Sequence, residues 1–502
     1  MNAPARFDPV SDEVLDAVIV GAGISGIAMA VHLNKELPDK RFAVLERRPE
    51  LGGTWDLFRY PGIRSDSDMY TMSLEHEPWL DKNTLGAGPS IKRYLADVAT
   101  RHALLEHIRF NHHVIAADWR SDEGMWHLSV EADGQRSTIR TRYLHLASGY
   151  YDYDEPYQAD IPGRERFKGT IAHPQFWPED LDYTGKKVIV IGSGATAVTL
   201  VPSMADKVKH ITMLQRTPTW IMSMPQRNPV VRLIRKTLPK RQAHKAIRWL
   251  SIRLQKLMFK RAKNQPEVVS ANILKGIKDA LGDNFEAQHF TPSYKPWDQR
   301  LCFVPDGDLF QAINAGKASV VTDTIKTIDE TGIQLDSGQH LEADIIVTAT
   351  GLQLAVAGKI AVSRDGVPVT WGDLIFYKGC MLSNMPNFML VIVYANASAT
   401  LRSELVARYA CKVLKHMDAV GANVFTPVPP DGLEALPESI LQLNSGYLLR
   451  SLHLMPRNGP ARPWRLDHDY LVDRKELLGQ PVDDGNLRFT RAEAEAELEA
   501  AE

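Results

Sequence analysis

Cysteine is nearly absent from this sequence. Among 502 residues there are three, Cys302, Cys380 and Cys411. They are far apart and form no C-x-x-C or C-x4-C pair. That argues against a disulfide framework, a zinc ribbon and a dithiol redox centre. Isolated thiols fit a reducing cytoplasm. An excess of charge is missing too: 59 Lys and Arg against 61 Asp and Glu leave a formal net charge of −2. Taken as an average, that gives no reason to expect a nucleic-acid partner. Long apolar runs are absent as well, since stretches such as 387–401 fall short of the ~18–20 residues that span a bilayer. The start, MNAPARFDPVSDE, lacks a basic segment followed by an apolar core, so no secretory signal is expected. The balance that remains, 44% hydrophobic and 24% charged, is that of an ordinary globular protein and excludes a disordered chain. The length suggests about three domains.

What the sequence does have is a repeat. Residues 16–26 read DAVIVGAGISG and residues 186–197 read KKVIVIGSGATA. Each is a β-branched apolar run that ends in a glycine turn and opens into a helical pattern. The first helix carries Ile27, Met29, Ala30 and Leu33; the second carries Val198, Leu200, Val201 and Met204. The likeness continues in FAVLERRPE (42–50) and ITMLQRTPT (211–219), and then in the terminal strands YLHLASG (143–149) and DIIVTATG (344–351). The expected class is α/β, with two copies of a Rossmann-like dinucleotide-binding unit. Between their landmarks, residues 225–295 look like a helical insertion, with Ile247, Leu250, Leu254, Leu257 and Met258 at helical spacing. The tail 491–502 reads as a frayed solvated helix.

In the first motif, Gly21-Ala22-Gly23-Ile24-Ser25-Gly26, the first glycine permits the tight turn and the second lets the backbone approach a pyrophosphate. The third allows close helix–strand packing, and the helix N-terminus faces the anion. Glu46 lies 20 residues after Gly26, at the end of the next strand, where a carboxylate accepts hydrogen bonds from ribose hydroxyls. The second motif is Gly192-Ser193-Gly194-Ala195-Thr196-Ala197, with Ala in the third place. Aligning LERRPE with LQRTPT sets Gln215 opposite Glu46, with Arg216 beside it. A carboxylate would repel a 2′-phosphate, whereas Arg pairs with one bidentately. The second site is therefore expected to take NADP(H). Two nucleotide sites in one chain imply electron transfer between a bound flavin and an exchangeable nicotinamide. Flavin disulfide reductases share this plan but need a dithiol.

Residues 167–178 read FKGTIAHPQFWP. Phe167, Gly169, His173, Trp177 and Pro178 match the F-x-G-x3-H-x3-W-P fingerprint of the Baeyer–Villiger monooxygenases, placed just before the second glycine motif as in that family. GGTWDLFRYPGIRSDSD (52–68) resembles the family's segment over the flavin ring. WDQRLCFVPDGDLF (297–310), VYANAS (393–398) and residues 446–470 resemble the branch typified by a mycobacterial monooxygenase that activates thioamide prodrugs such as ethionamide. The resemblance covers nearly the whole chain.

The resemblance implies an FAD domain at 1–150 and 385–502, an NADP domain at 151–224 and 296–384, and the helical insertion at 225–295. It implies that Arg300 is the active-site arginine and that Asp66 positions it. Thr54 and Trp55 correspond to flavin contacts, and Val114 to a backbone contact with the adenine half. Arg64 and Ser65 fall where relatives approach the nicotinamide nucleotide, alongside Thr196 and Thr217 of the second cradle. His173 corresponds to a hinge residue. Many relatives carry Lys immediately before the arginine; here it is Gln299, which leaves more of the NADP preference to Arg216 and Thr217. The implied chemistry is NADPH- and O2-dependent conversion of ketones to esters or lactones through an oxygen adduct of the reduced flavin, with sulfoxidation beside it. A fixed cation suits that chemistry because it stabilises a developing oxyanion, and Arg does not deprotonate. No metal is implied. Two other readings stay open at this point: an N- or S-oxidising flavin monooxygenase, and a nucleotide-binding redox sensor or membrane-associated module without turnover.

One segment departs from the average charge. Residues 226–266 contain thirteen Lys and Arg and no acid. With apolar residues at helical spacing, this reads either as a solvated basic face or as a contact for an anionic surface, a membrane before nucleic acid. The expected location is the cytoplasm, with such a contact at the membrane left open.

Overall fold

The computed structural model describes residues 10–299, 301–437 and 450–492. Arg300, residues 446–449 and the tail beyond Ala492 lie outside the described residues.

Both glycine motifs follow the central strand of a five-stranded parallel sheet. The first sheet runs Phe388–Leu390, Leu144–Leu146, Ala17–Val20, Phe42–Leu45, Ile108–Arg109. The second runs Thr170–Ala172, Ile345–Thr348, Lys187–Ile191, His210–Gln215, Ala318–Thr322. The β-branched runs of the two repeats thus become strands buried on both faces, as parallel sheets require. In the first, Ala17 and Ile19 face the helices Ile24–Glu36 and Ala399–Ala419. Val18 and Val20 face a meander of three antiparallel strands, His113–Arg120, Met125–Ala132 and Gln135–Thr141. In the second, Val188 and Val190 face the helix Ala195–Met204. Ile189 and Ile191 face the smaller meander Ile325–Ile328, Gly332–Leu335, His340–Glu342. The alternation is the two-residue period of a strand.

The chain crosses from the first unit to the second near Tyr151 and returns near Leu354, and the two crossings meet in an antiparallel bridge between these residues. The return comes earlier than the sequence suggested. Ala361–Arg364 pairs with His113–Arg120, and Phe376 and Leu382 are buried in the core between the first sheet and its meander. Residues 361–384, expected in the NADP domain, therefore pack with the first unit.

The insertion is helical, with helices Pro229–Thr237, Lys240–Asn264 and Pro266–Leu281. It has little core of its own. Ile273, Ile277 and Leu281 join the core of the second unit, whereas Ala243 and Ile247 pack on Tyr70 of the first. The apolar positions of the long helix divide between inside and outside. Ile247 is buried, but Leu254, Leu257 and Met258 are exposed. The inward face also carries the buried polar groups His244 and Arg248. Arg248 donates to the carbonyls of Tyr70, Thr71 and Ser73 and pairs with Glu404 at 2.5 Å. These groups cap the carbonyls of the short helix Met69–Met72, a use of cations at helix C-termini. Among the described residues no helix is long and apolar enough to cross a membrane.

Candidate active site

The C-terminal ends of the strands in both sheets open onto one cleft of about 800 Å³. This is where open α/β sheets bind ligands. Apart from Gly26, every expected cofactor residue that is described lines it, as do Asp66 and His173. Phe167, Gly169, Trp177 and Pro178 do not.

The two glycine turns are built alike. Gly21 has φ +103° and Gly192 has φ +129°. A Cβ at Gly21 would sit 2.7 Å from the Ala147 carbonyl oxygen, and one at Gly192 would sit 2.3 Å from that of Ala349. Each turn thus packs on the backbone just past its own unit's terminal strand. Helices Ile24–Glu36 and Ala195–Met204 then begin at Gly23 and Gly194, and neither N-terminus has a side-chain cap. Their first N–H groups are left for an anion, and the helix dipole adds to the attraction. The third position differs. A Cβ at Gly26 would lie 1.8 Å from the Gly21 carbonyl oxygen, whereas Ala197 fits, fully buried. Ser25 shares a 2.8 Å hydrogen bond with Ser403 on the helix behind the turn.

The cradles diverge at the end of the second strand, the position expected to meet the ribose. Glu46 is 4% exposed. Its Oε2 accepts from Ala22 N–H at 2.7 Å and its Oε1 from Arg48 N–H at 2.9 Å. Burial raises its pKa, and these two N–H groups pull the other way. Each oxygen keeps a lone pair for a ribose hydroxyl. Gln215 has a different task. Its Nε2 donates to the His289 carbonyl at 2.8 Å and to Thr322 Oγ1 at 2.9 Å, so its amide points into the packing of the second unit. The cleft wall there is formed by Arg216 and Thr217, both exposed. Among the described residues Arg216 makes no ion pair, which leaves its guanidinium for an anionic ligand. Ser193 Oγ donates to the Thr217 carbonyl at 3.2 Å and shares a 2.8 Å bond with Thr219, fixing this rim against the glycine turn.

The loop 52–68 forms the wall between the cradles. Thr54 and Trp55 open the helix Thr54–Leu57 and line the cleft. Thr54 bonds the buried Tyr153 hydroxyl, whose pKa burial pushes up to about 12. Tyr60, which the sequence reading missed, bonds Thr196 of the second glycine turn, and burial likewise pushes its pKa to about 12. Arg64 reaches across to the second unit. It pairs with Asp308 at 2.5 and 3.4 Å and donates to the Val198 carbonyl at 3.3 Å. Burial raises the Asp308 pKa against the pull of Arg64. Asp308 was not singled out either, although it lies in the segment 297–310 that carries the resemblance and opens the helix Asp308–Asn314. The Ser65 hydroxyl is used within its own loop, donating to the Ser67 carbonyl at 2.7 Å. Asp66 and Gln299 line the cleft, and Val114 lines it from the strand His113–Arg120.

The fingerprint is the edge strand of the second sheet. Thr170–Ala172 pairs with Ile345–Val347, and a Cβ at Gly169 would lie 2.3 Å from the Asp344 carbonyl oxygen. Phe167 and Trp177 pack against opposite faces of the second sheet. His173 ends the strand and faces the cleft. Its Nδ1 accepts from Gln175 N–H at 3.1 Å, and Gln175 donates to the Asp152 carbonyl at 2.6 Å, on the first crossing. Burial pulls the His173 pKa below the usual range, with the Tyr157 backbone opposing. Among the described residues no cluster of His, Cys, Asp and Glu is arranged to hold a metal.

The pattern of the flavin-binding monooxygenase-like family matches residues 82–424, and that of an NAD(P)-binding Rossmann-like domain matches residues 19–81. The chain belongs to this family: it is a flavin monooxygenase. It is 46% identical over 485 residues to the FAD-containing monooxygenase EthA of Mycolicibacterium smegmatis, covering 96% of this chain and 98% of the relative. It is 45% identical to the probable FAD-binding monooxygenase AlmA of Acinetobacter baylyi, covering 95% and 96%. Among solved structures, the oxidized steroid monooxygenase bound to NADP shares the fold, with a TM-score of 0.74 at 22% identity over 95% of this chain and all of that one.

Proposed function

We propose that this enzyme uses NADPH and O2 to convert ketones to esters or lactones, and that it also oxidises the sulfur of thioethers and thioamides. The observation that carries the reading is the single cleft onto which both glycine turns open. FAD fits the first turn, with Glu46 at its ribose, Val114 by the adenine, and Thr54 and Trp55 toward the ring. NADPH fits the second, with Arg216 and Thr217 at the 2′-phosphate. Bound and reduced, the flavin supplies the activation of O2. The chain's own part is to hold both nucleotides, to exclude water, and to set a fixed cation where negative charge develops. Arg300 is assigned that cation and Asp66 its orientation. His173 is assigned to the hinge, supported by its link through Gln175 to the Asp152 carbonyl. The enzyme is assigned to the cytoplasm, where NADPH is supplied.

The test is Arg300→Ala. The variant should still bleach its flavin with NADPH yet lose ester formation by roughly 10²–10³-fold, as when one oxyanion donor is removed. Undiminished ester yield would take Arg300 out of the mechanism. The N- or S-oxidising reading is separated by a panel of linear, cyclic and aryl ketones run beside thioethers, with products identified by mass. Membership of a monooxygenase family disfavours the reading as a sensor without turnover.

A further inference from the structure

Helix Lys240–Asn264 turns one face to the first unit and leaves the other bare. Its buried side chains are Ala243, His244, Ile247, Arg248 and Ala262. Lys245, Trp249, Arg253, Lys256 and Lys260 follow one another at the three- and four-residue spacing of an outer stripe, with Leu257 beside it. Trp249 is 57% exposed and Leu257 is 62% exposed. The Arg253 guanidinium lies 4.3 Å over the Trp249 ring. On the preceding helix, Leu233 is as exposed as Leu257 and sits between Arg232 and Lys236. Among the described residues, Arg232, Lys236, Lys245, Arg253, Lys260 and Arg261 have no carboxylate partner, whereas Arg248, Lys256 and Lys263 do.

A merely solvated cationic face gives no reason for an indole and leucines at this exposure. A second copy of the same face would repel itself. Anionic lipid headgroups complement the cations, and the indole and leucine side chains suit the interfacial layer beneath them. The end of the same helix meets the segment that leads into the cleft. Phe259 meets Trp297 edge-on at 6.1 Å, and Lys263 donates to the Trp297 carbonyl at 3.2 Å and to Asp298 at 3.0 Å, one residue before the cleft-lining Gln299.

We propose that this helix face docks the enzyme on the surface of an anionic lipid bilayer. The contact is peripheral and independent of the reaction assigned to the cleft. The test uses the full-length, FAD-loaded enzyme and vesicles of phosphatidylcholine alone or mixed with phosphatidylglycerol. The enzyme should co-sediment with the mixed vesicles and be released by high salt. The combined variant K245Q/R253Q/K260Q/R261Q should bind them about five-fold more weakly per cation removed. W249S/L257S should lose the part of binding that survives in salt. Both should keep their flavin and their rate of NADPH oxidation. Equal sedimentation with both kinds of vesicle would overturn the proposal, and so would undiminished binding by the charge variant. Retention by duplex DNA without vesicle binding would overturn it too, as would a change in oligomeric mass as the only effect of the variants.

Discussion

The two nucleotide cradles share a backbone plan and differ at two positions. In both, a left-handed glycine packs on the carbonyl just past the terminal strand, and an uncapped helix begins two residues later. In the first, the position expected at the ribose is a buried carboxylate tied to the glycine turn itself through Ala22 N–H. In the second, the matching Gln215 borders the cleft but spends its Nε2 on packing, and its neighbours Arg216 and Thr217 form the rim. A closed cradle suits a nucleotide that stays; an open rim suits one that comes and goes with each turnover. The third glycine position agrees. Gly26 brings the first helix against its turn, and Ala197 holds the second a methyl group further off.

The largest expected effect breaks this asymmetry at the third position. Gly26→Val puts side-chain atoms into the Gly21 carbonyl, so the protein should purify colourless. Ala197→Gly should leave NADPH kinetics nearly unchanged. A yellow Gly26→Val protein would show that the close approach is not needed to hold FAD. Next come the ribose positions. Glu46→Gln should weaken FAD retention, and Arg216→Ala should raise the KM for NADPH, each by roughly 10–100-fold, the value of a hydrogen bond to a charged group. Arg216→Ala should leave NADH almost untouched; an equal loss with both nucleotides would remove the 2′-phosphate from the account. Glu46 also makes one cradle pH-sensitive. Its folded pKa is raised, so its contribution to apo-protein stability is fully present below the ordinary carboxylate range and is lost as pH rises through the folded value. Apo-protein melting curves should show that fall, and Glu46→Gln should abolish it; Gln215 adds no such limb. The smallest effect belongs to the clamp between the units. Asp308→Asn leaves Arg64 with a weaker partner and should change the KM for NADPH by about two- to five-fold, as for a partly exposed ion pair. No change would restrict the pair to packing.

Much of this was legible in the sequence because it rests on local rules. Both glycine turns, their strands and their helices follow from short-range pattern, and so does the exchange of Glu46 for Gln215. What stayed hidden depends on the chain meeting itself at long range. Tyr60 and Asp308 sit inside segments that carry the resemblance, but nothing local singles them out; they matter because one lies against Thr196 and the other against Arg64. The return to the first unit was placed too late because an apolar strand carries no mark of which sheet it joins. The outward turn of Leu254 and Leu257 was not legible either, because helical spacing identifies a stripe without saying what it faces. Arg300 and its partnership with Asp66 rest on resemblance alone.

The bridge between Tyr151 and Leu354 has a bearing on assembly. The strand Leu144–Leu146 needs Phe388–Leu390 as its outer neighbour, yet the whole second unit is synthesised between them. As an open chain, that intervening length would be a large closure to make. Once the second unit has folded, its two ends lie side by side, and the gap shrinks to the short reach from the crossings to the sheet edge. The unit that comes first in the gene is thus the last to receive its final strand, and the later unit acts as the splint that holds the place open for it.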